Sequence, residues 1–164
     1  MTTLDFLYGE TSNFKFKVLS APTVIRPVDF DTTALTLPEL TTSDLPATVS
    51  TKTPATPKMY GSPADGTDIT WQKPKPDTGS WTLSLSGNVL PSSADRANMN
   101  TFIAALGKYV WIERQMHTSA KNEGGCILVT STGKPVPADT NTPVTFTAGG
   151  TGYGPKFDDT SLAV

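Results

Sequence analysis

The chain has 164 residues and a mass of 17.4 kDa, a length that fits one domain. Only 17% of its residues are charged and its formal net charge is -2, which argues against a basic nucleic-acid-binding protein. One cysteine, 27 threonines, 14 prolines and 13 glycines exclude a disulfide scaffold and a helical bundle.

The first regular element is predicted at residues 14–19, where phenylalanine and valine alternate with lysine as in a half-buried strand. Residues 24–30 are apolar enough to continue the sheet. Pro22 and Pro27 would limit that continuation to a short or edge strand, because proline cannot donate a hydrogen bond to the ladder.

Residues 31–79 differ from the rest of the chain, because threonine, serine, aspartate and seven prolines leave few apolar positions and forbid a helix. One interpretation is a flexible linker. The other is a long loop or arm that reaches a neighbouring subunit, which is favoured because a linker needs no apolar anchors. The candidate anchors are Leu35, Leu37, Leu40, Leu45, Met59, Tyr60, Ile69 and Trp71.

From residue 81 the pattern becomes regular. In residues 81–87 apolar side chains alternate with small hydroxyl side chains, which predicts a strand with one buried face. Residues 93–106 place apolar side chains at helical spacing, and Gly107 follows as a C-terminal cap. Three more strands are predicted, at residues 108–116, 125–132 and 143–148.

This order of elements predicts a mainly β (α+β) fold: an antiparallel β-sandwich or barrel-forming domain with one flanking helix. We expect residues 1–164 to form a single domain, with a long N-terminal loop or arm at 31–79. The glycine-rich and then polar residues 149–164 are interpreted as a C-terminal arm. No apolar run approaches the roughly 20 residues of a membrane span, so we expect no membrane partner.

Residues capable of catalysis or metal binding are few and scattered. His117 is the only histidine, and neither it nor Cys126 has partners at the spacing of a metal or nucleophile motif. The glycine-rich residues 150–154 lack a following helix, so they do not form a dinucleotide-binding loop. Glu113 and Arg114 face opposite sides of one strand, which leaves surface exposure or an ion pair with another chain. We therefore expect no enzyme activity, no cofactor and no metal.

The segment from residue 81 onward resembles the major tail proteins, or tail tube proteins, of long-tailed bacteriophages. The resemblance rests on the order and spacing of a W-T-L-x-L-x-G strand at 81–87, a helix at 93–106, V-W-I-E at 110–113, G-G-x-x-x-V-T-S at 124–131, a proline-rich turn at 134–137 and V-T-F-T at 144–147, followed by glycine-rich residues 149–154. It covers about half of the chain. The residues before it match only in being long and loop-like.

The resemblance implies a structural virion protein without catalysis, a β-sandwich with a flanking helix whose copies form hexameric rings through a continuous β-barrel. The rings would stack into a tail tube that encloses the tape-measure protein and later passes the genome. A tail terminator would be a further partner, and extended arms with a long loop would tie one ring to the next. The resemblance places the protein in the virion tail after synthesis in the host cytoplasm.

Alternate strand positions that carry threonine or serine suit the wall of such a channel, because an uncharged wall makes no ion pairs with DNA phosphates. DNA would then pass without specific binding. The candidate lumen-facing residues are Thr82, Ser84, Ser86, Thr145 and Thr147. An ordinary solvent-facing side of a sandwich explains the same pattern, because threonine also favours strands.

Two other functions remain open. The chain could be another phage assembly component, such as a tail terminator or a capsid decoration protein. It could instead be a β-sandwich carbohydrate-binding module, which would expose aromatic side chains on a concave face. The aromatic side chains available for that role are Tyr60, Trp71, Trp81, Tyr109 and Trp111.

Overall fold

A computed structural model describes residues 13–37, 40–52, 75–88, 93–115, 122–135 and 144–157. The chain divides into two compact units. The larger unit comprises Met1–Ala47 and Ser80–Val164, and the smaller one comprises Thr48–Gly79. Four of the predicted anchors lie outside the described residues, as does His117: the four are Met59, Tyr60, Ile69 and Trp71. None of the described helices is long and apolar enough to cross a membrane.

The described residues form eight strands and two helices. In chain order they are β1 (Asn13–Val18), α1 (Phe30–Thr33), β2 (Leu35–Leu37), β3 (Leu40–Asp44), β4 (Ala47–Lys52), β5 (Lys75–Asn88), α2 (Ser93–Ile103), β6 (Tyr109–Gln115), β7 (Asn122–Gly133) and β8 (Thr145–Phe157). The mainly β fold with a flanking helix is therefore confirmed. In the smaller unit, the backbone N–H of Thr78 donates to Oγ of Ser50 at 3.1 Å.

The strands form one antiparallel sheet in the order β2-β1-β6-β7-β8-β5-β3, and β4 pairs with β5 beside this path. The first and last strands of the order, β2 and β3, are separated by only two residues in the chain. Since two residues span at most about 10 Å between strand ends, the two edges of the sheet lie close together. The sheet therefore curls into a nearly closed barrel.

The inside of the barrel is the main hydrophobic core. It collects one face of each long strand, so the alternation of residues 81–87 is confirmed as a strand with one buried face. Helix α2 contributes Phe102, whose ring lies edge-on to Phe16 at 4.9 Å and to Phe14 at 6.4 Å between centroids. The helix ends at Ile103, three residues earlier than predicted, and residues 104–107 form a turn. Gly107 closes this turn with a φ of 75°, in the left-handed region.

Replacing Phe102 with alanine is expected to lower the free energy of unfolding of the subunit by about 3–5 kcal/mol, because its fully buried ring would leave a cavity between α2 and β1. Urea unfolding of the unassembled subunit measures the loss. The exposed neighbour Thr101, changed to alanine, is the control and should stay within about 0.5 kcal/mol of wild type. Equal unfolding midpoints for the two variants would contradict the assignment of Phe102 to the core.

The expectation that residues 24–30 continue the sheet is wrong. These residues form bends and a turn that lead into α1. The N–H of Phe30 donates to the carbonyl of Pro27, and the hydroxyls of Thr32 and Thr33 donate to the carbonyl of Asp29. Such local bonds satisfy the backbone without a partner strand. Phe30 is buried in a second cluster with Trp111 and Cys126, on the outer face of the sheet.

The two segments predicted as loops or arms contain more regular structure than expected. Within 31–79, the described residues include most of α1, strands β2, β3 and β4, and the beginning of β5. Residues 149–157, predicted as the start of a C-terminal arm, belong to β8 and pair with β7 and β5. Their glycines permit close packing: a Cβ atom on Gly150 would lie 2.9 Å from the carbonyl oxygen of Leu128.

Candidate functional site

The five predicted lumen-facing residues lie on one face of the sheet, opposite the core. On β5, Thr82, Ser84 and Ser86 point away from the buried Trp81, Leu83 and Leu85. The antiparallel register places Thr147 beside Ser86 and Thr145 beside Asn88, so β8 extends the same face. The structure therefore brings the five residues together on one face of the sheet.

Part of this face, with four of the five residues but without Thr145, is the floor of an open groove of about 530 Å³. Among the described residues, none of those that line the groove is charged. The lining residues are Thr42, Thr82, Leu83, Ser84, Leu85, Ser86, Thr130, Ser131, Thr147, Ala148, Gly149, Gly150 and Thr151. We call this surface the hydroxyl groove.

Four hydroxyl residues of the groove were missed by the sequence analysis: Thr42, Thr130, Ser131 and Thr151. The register of β7 against β8 shifts between Val129 and Ser131, so two consecutive hydroxyl residues are exposed on β7. A bulge of this kind breaks the alternation on which the strand predictions depended. The T-S dipeptide after the apolar run was the available signal.

Several hydroxyls of the groove bond to groups of the sheet itself. The side-chain oxygen of Ser86 lies 2.6 Å from that of Thr42 and 2.9 Å from that of Thr41. The hydroxyl of Thr130 donates to the carbonyl of Gly149 at 3.4 Å. The groove lining is polar and offers water hydrogen bonds but offers a phosphate no cation. The exposed Asp44, which pairs with Ser84 on the neighbouring strand, adds one negative charge beside it.

Glu113 was expected on the surface or in an ion pair with another chain, and this expectation is wrong. Its side chain is buried, with 4% of the residue exposed. Its carboxylate accepts hydrogen bonds from Nε1 of Trp111 at 3.0 Å and from Nε of Arg26 at 2.5 Å. The sequence shows no local sign of this, because Arg26 is 87 residues away along the chain.

Arg26 joins two carboxylates. Besides Glu113 it donates to both oxygens of Asp31, at 2.5 and 2.9 Å, and its guanidinium lies 5.1 Å from the ring centroid of Phe30. The bonds to Asp31 and then to Glu113 raise the pKa of Arg26 above its ordinary value, and the bond from Arg26 lowers the pKa of Asp31. We call this arrangement of Arg26, Asp31 and Glu113 the arginine clamp.

Arg114 lies on the opposite face of the same strand and was likewise expected at the surface or in contact with another chain. It donates to the carbonyl oxygen of Ser43 and pairs with Glu123 at 3.0 Å. Glu123 also pairs with Lys156, which donates to the carbonyl of Leu45 at 3.3 Å. These bonds tie β3 and the residues after it to β6, β7 and β8, so Arg114 holds its own barrel together.

The four described candidate anchors pack within their own subunit. Leu37 and Leu45 belong to the core of the barrel, and Leu35 and Leu40 pack against it. We therefore no longer assign these four to contacts with a neighbouring ring. These side chains are not free for a neighbouring ring, because β2, β3 and Leu45 close the barrel and cover its core.

Among the described residues, no group of three or more histidine, cysteine, aspartate or glutamate side chains could hold a metal ion. Burial raises the pKa of the Cys126 thiol, which disfavours the nucleophilic thiolate. Trp81 and Trp111 are buried, so neither can stack on a sugar. This observation weakens the interpretation of the chain as a carbohydrate-binding module.

No protein-family model and no curated protein matches the sequence. Solved structures do share the fold. A chain in the tail of an empty gene transfer agent particle, with C6 symmetry, aligns with a TM-score of 0.55 and 11% identity, covering 92% of this chain and 97% of that one. A chain of the SPP1 tail tube aligns with a TM-score of 0.63 and 11% identity, covering 93% of this chain and 78% of that one.

A chain from the baseplate of the anti-feeding prophage also aligns, with a TM-score of 0.54 and 10% identity over 96% of both chains. At such low identity these matches establish the fold. The resemblance to phage tail tube proteins is therefore confirmed as a shared fold, and the similarity extends over nearly the whole chain.

Proposed function

We propose that the protein is the structural subunit of a phage tail tube, in which copies of the chain form stacked rings around a channel. The single observation that carries this proposal is the hydroxyl groove, whose lining carries no cation, on a barrel with the fold of tail tube subunits. By analogy with the six-fold assemblies that share this fold, we propose hexameric rings. The location would be the virion tail.

The chemistry of the groove suits the wall of a channel for DNA. A basic wall would hold phosphates through many ion pairs and would have to release them at every step of passage. Side chains such as Thr82, Ser84 and Thr147 keep a water layer without offering a cation. The tape-measure protein and the tail terminator are proposed partners on the same analogy, and catalysis forms no part of the proposal.

Site-specific thiols test whether the groove faces a channel. Wild-type Cys126 is buried, so Ser84→Cys and Thr147→Cys each introduce one accessible thiol. In assembled particles we expect both variants to react with a small maleimide and to resist a maleimide coupled to a large protein. In the unassembled subunit both reagents should react. Equal labelling by the large reagent before and after assembly would place the groove on the outside and contradict the proposal.

Electron microscopy of the concentrated protein separates the tail tube from the alternative assembly components. Stacked rings that grow into tubes with a continuous channel are the expected result. Single rings that never stack would favour a tail terminator, and a monomer at every concentration would contradict the proposal. A glycan-binding monomer would restore the carbohydrate-binding module as the explanation.

A further inference from the structure

The loop before α1 carries three apolar side chains that the subunit leaves in water. The exposed fractions of Val24, Ile25 and Val28 are 47%, 68% and 100%. We call residues 24–28 the apolar loop. Single exposed apolar residues are ordinary, but three within five positions concentrate exposed apolar side chains in one short loop, which is a feature of interaction sites.

The apolar loop is held in one conformation by the part of it that faces inward. Arg26, in the centre of the loop, is fixed by its bonds to Glu113 and Asp31 and by its contact with the ring of Phe30. Before it, the N–H of Ile25 donates to the hydroxyl of Thr23 at 3.0 Å. A loop fixed in this way loses little conformational entropy when it binds, so its apolar side chains are preorganised for contact.

The charges around the apolar loop are neutralised inside the subunit. Arg26 pairs with Asp31 and Glu113, and Lys17 pairs with Asp29, which follows the loop. Lys15 lies beside Asp31 and Glu113, so three cations balance three carboxylates. The surface that surrounds the exposed side chains therefore has no excess of either sign to attract DNA, an anionic membrane or a strongly charged protein. A partner of equally low charge fits it best, and this chain, with 17% charged residues, has that composition.

We propose that the apolar loop is a contact between copies of this chain, with Ile25 and Val28 inserted into a different surface of the neighbouring subunit. The inference rests on the proposed function, because it requires the chain to assemble. Contact between unlike surfaces closes a ring when repeated around an axis. A standard interface buries about 800 Å² on each partner, so three side chains form its apolar centre and other surfaces complete it.

Protection of a thiol in the apolar loop tests the contact directly. Val28→Cys places one reactive thiol at the fully exposed position, while Cys126 stays buried. We expect a small maleimide to label it fast in the unassembled subunit and at least about tenfold more slowly in assembled particles, because an inserted side chain is shielded from solvent. Ser84→Cys is the control, since a channel wall stays open to the small reagent.

A second variant measures the contribution of the loop to assembly. Ile25→Ser combined with Val28→Ser should raise the concentration at which particles form by about tenfold or more, as expected when two apolar anchors leave an interface. The thermal midpoint of the unassembled subunit should not change, because these side chains are exposed there. Val24 stays in place, since it packs near the backbone of Gly154.

The outcomes separate this inference from the proposed function. If the wild type forms tubes and Val28→Cys reacts equally fast in both states, the apolar loop is free and the inference is overturned while the tube remains. Slow labelling already in the unassembled subunit would show that the chain covers its own loop, which also overturns it. A wild type that never assembles would remove the proposed function and the inference together.

Discussion

Replacing Gly152 with alanine should destabilise the subunit by about 3 kcal/mol, as expected when an atom is forced into a packed core. A Cβ atom at this position would lie 2.1 Å from Nε1 of Trp81. The indole cannot retreat, because it is buried and its Nε1 donates to the carbonyl of Gly154 at 3.0 Å. Urea unfolding of the unassembled subunit, together with soluble yield, measures the effect.

Two controls show whether the clash with Trp81 causes the loss. Gly79→Ala adds the same methyl group where no atom lies within 4 Å, so its unfolding midpoint should match wild type. In a Trp81→Val background, which lacks the indole, the additional cost of Gly152→Ala should largely disappear. A Gly152→Ala protein as stable as wild type would contradict the close packing of β8 against Trp81.

Removing the carboxylate of Glu113 should cost about 3 kcal/mol, because Glu113→Ala takes away the buried partner of the Arg26 guanidinium and leaves it only the exposed Asp31. The side chains of Glu113 and Arg26 are 5% and 16% exposed. The change also removes the acceptor of the Trp111 indole and one carboxylate from Arg26. The readout is again the free energy of unfolding of the unassembled subunit.

Asp31→Asn is the matched control, because Asp31 bonds to the same guanidinium from a side chain that is 69% exposed. Its cost should stay below about 1 kcal/mol, the usual limit for an exposed ion pair. Glu113→Gln should fall between the two, since its amide oxygen can still accept a bond from Trp111. If Glu113→Ala and Asp31→Asn lower the free energy of unfolding equally, the burial of Glu113 does not explain the stability that the clamp contributes.

The stability of the clamp also bears on the apolar loop. Glu113→Ala is expected to loosen residues 24–28, whereas Asp31→Asn should keep them in place. Comparing Glu113→Ala with Asp31→Asn therefore tests the conformation of the loop. The Ile25 and Val28 substitutions test its apolar surface instead, because those side chains are exposed and lie outside the clamp.

Local patterns in the sequence were sufficient for the elements that depend on neighbours in the chain. Alternation in residues 81–87 identified the buried face of β5, and helical spacing with Gly107 identified α2. The same alternation placed the hydroxyl residues of β5 and β8 on one face. These features follow from the periods of strands and helices, which a sequence displays directly.

The tertiary structure decided what depends on residues far apart in the chain. Residues 149–154 were interpreted as an arm, yet their glycines let β8 pack closely against β7 and Trp81. Glu113 looked exposed, yet Arg26 meets it from 87 residues away. Composition by itself determined that the chain would present a weakly charged, threonine-rich surface. Only the curl of the sheet decided which residues share that surface and which close the barrel, because strand register and barrel closure arise from long-range pairing.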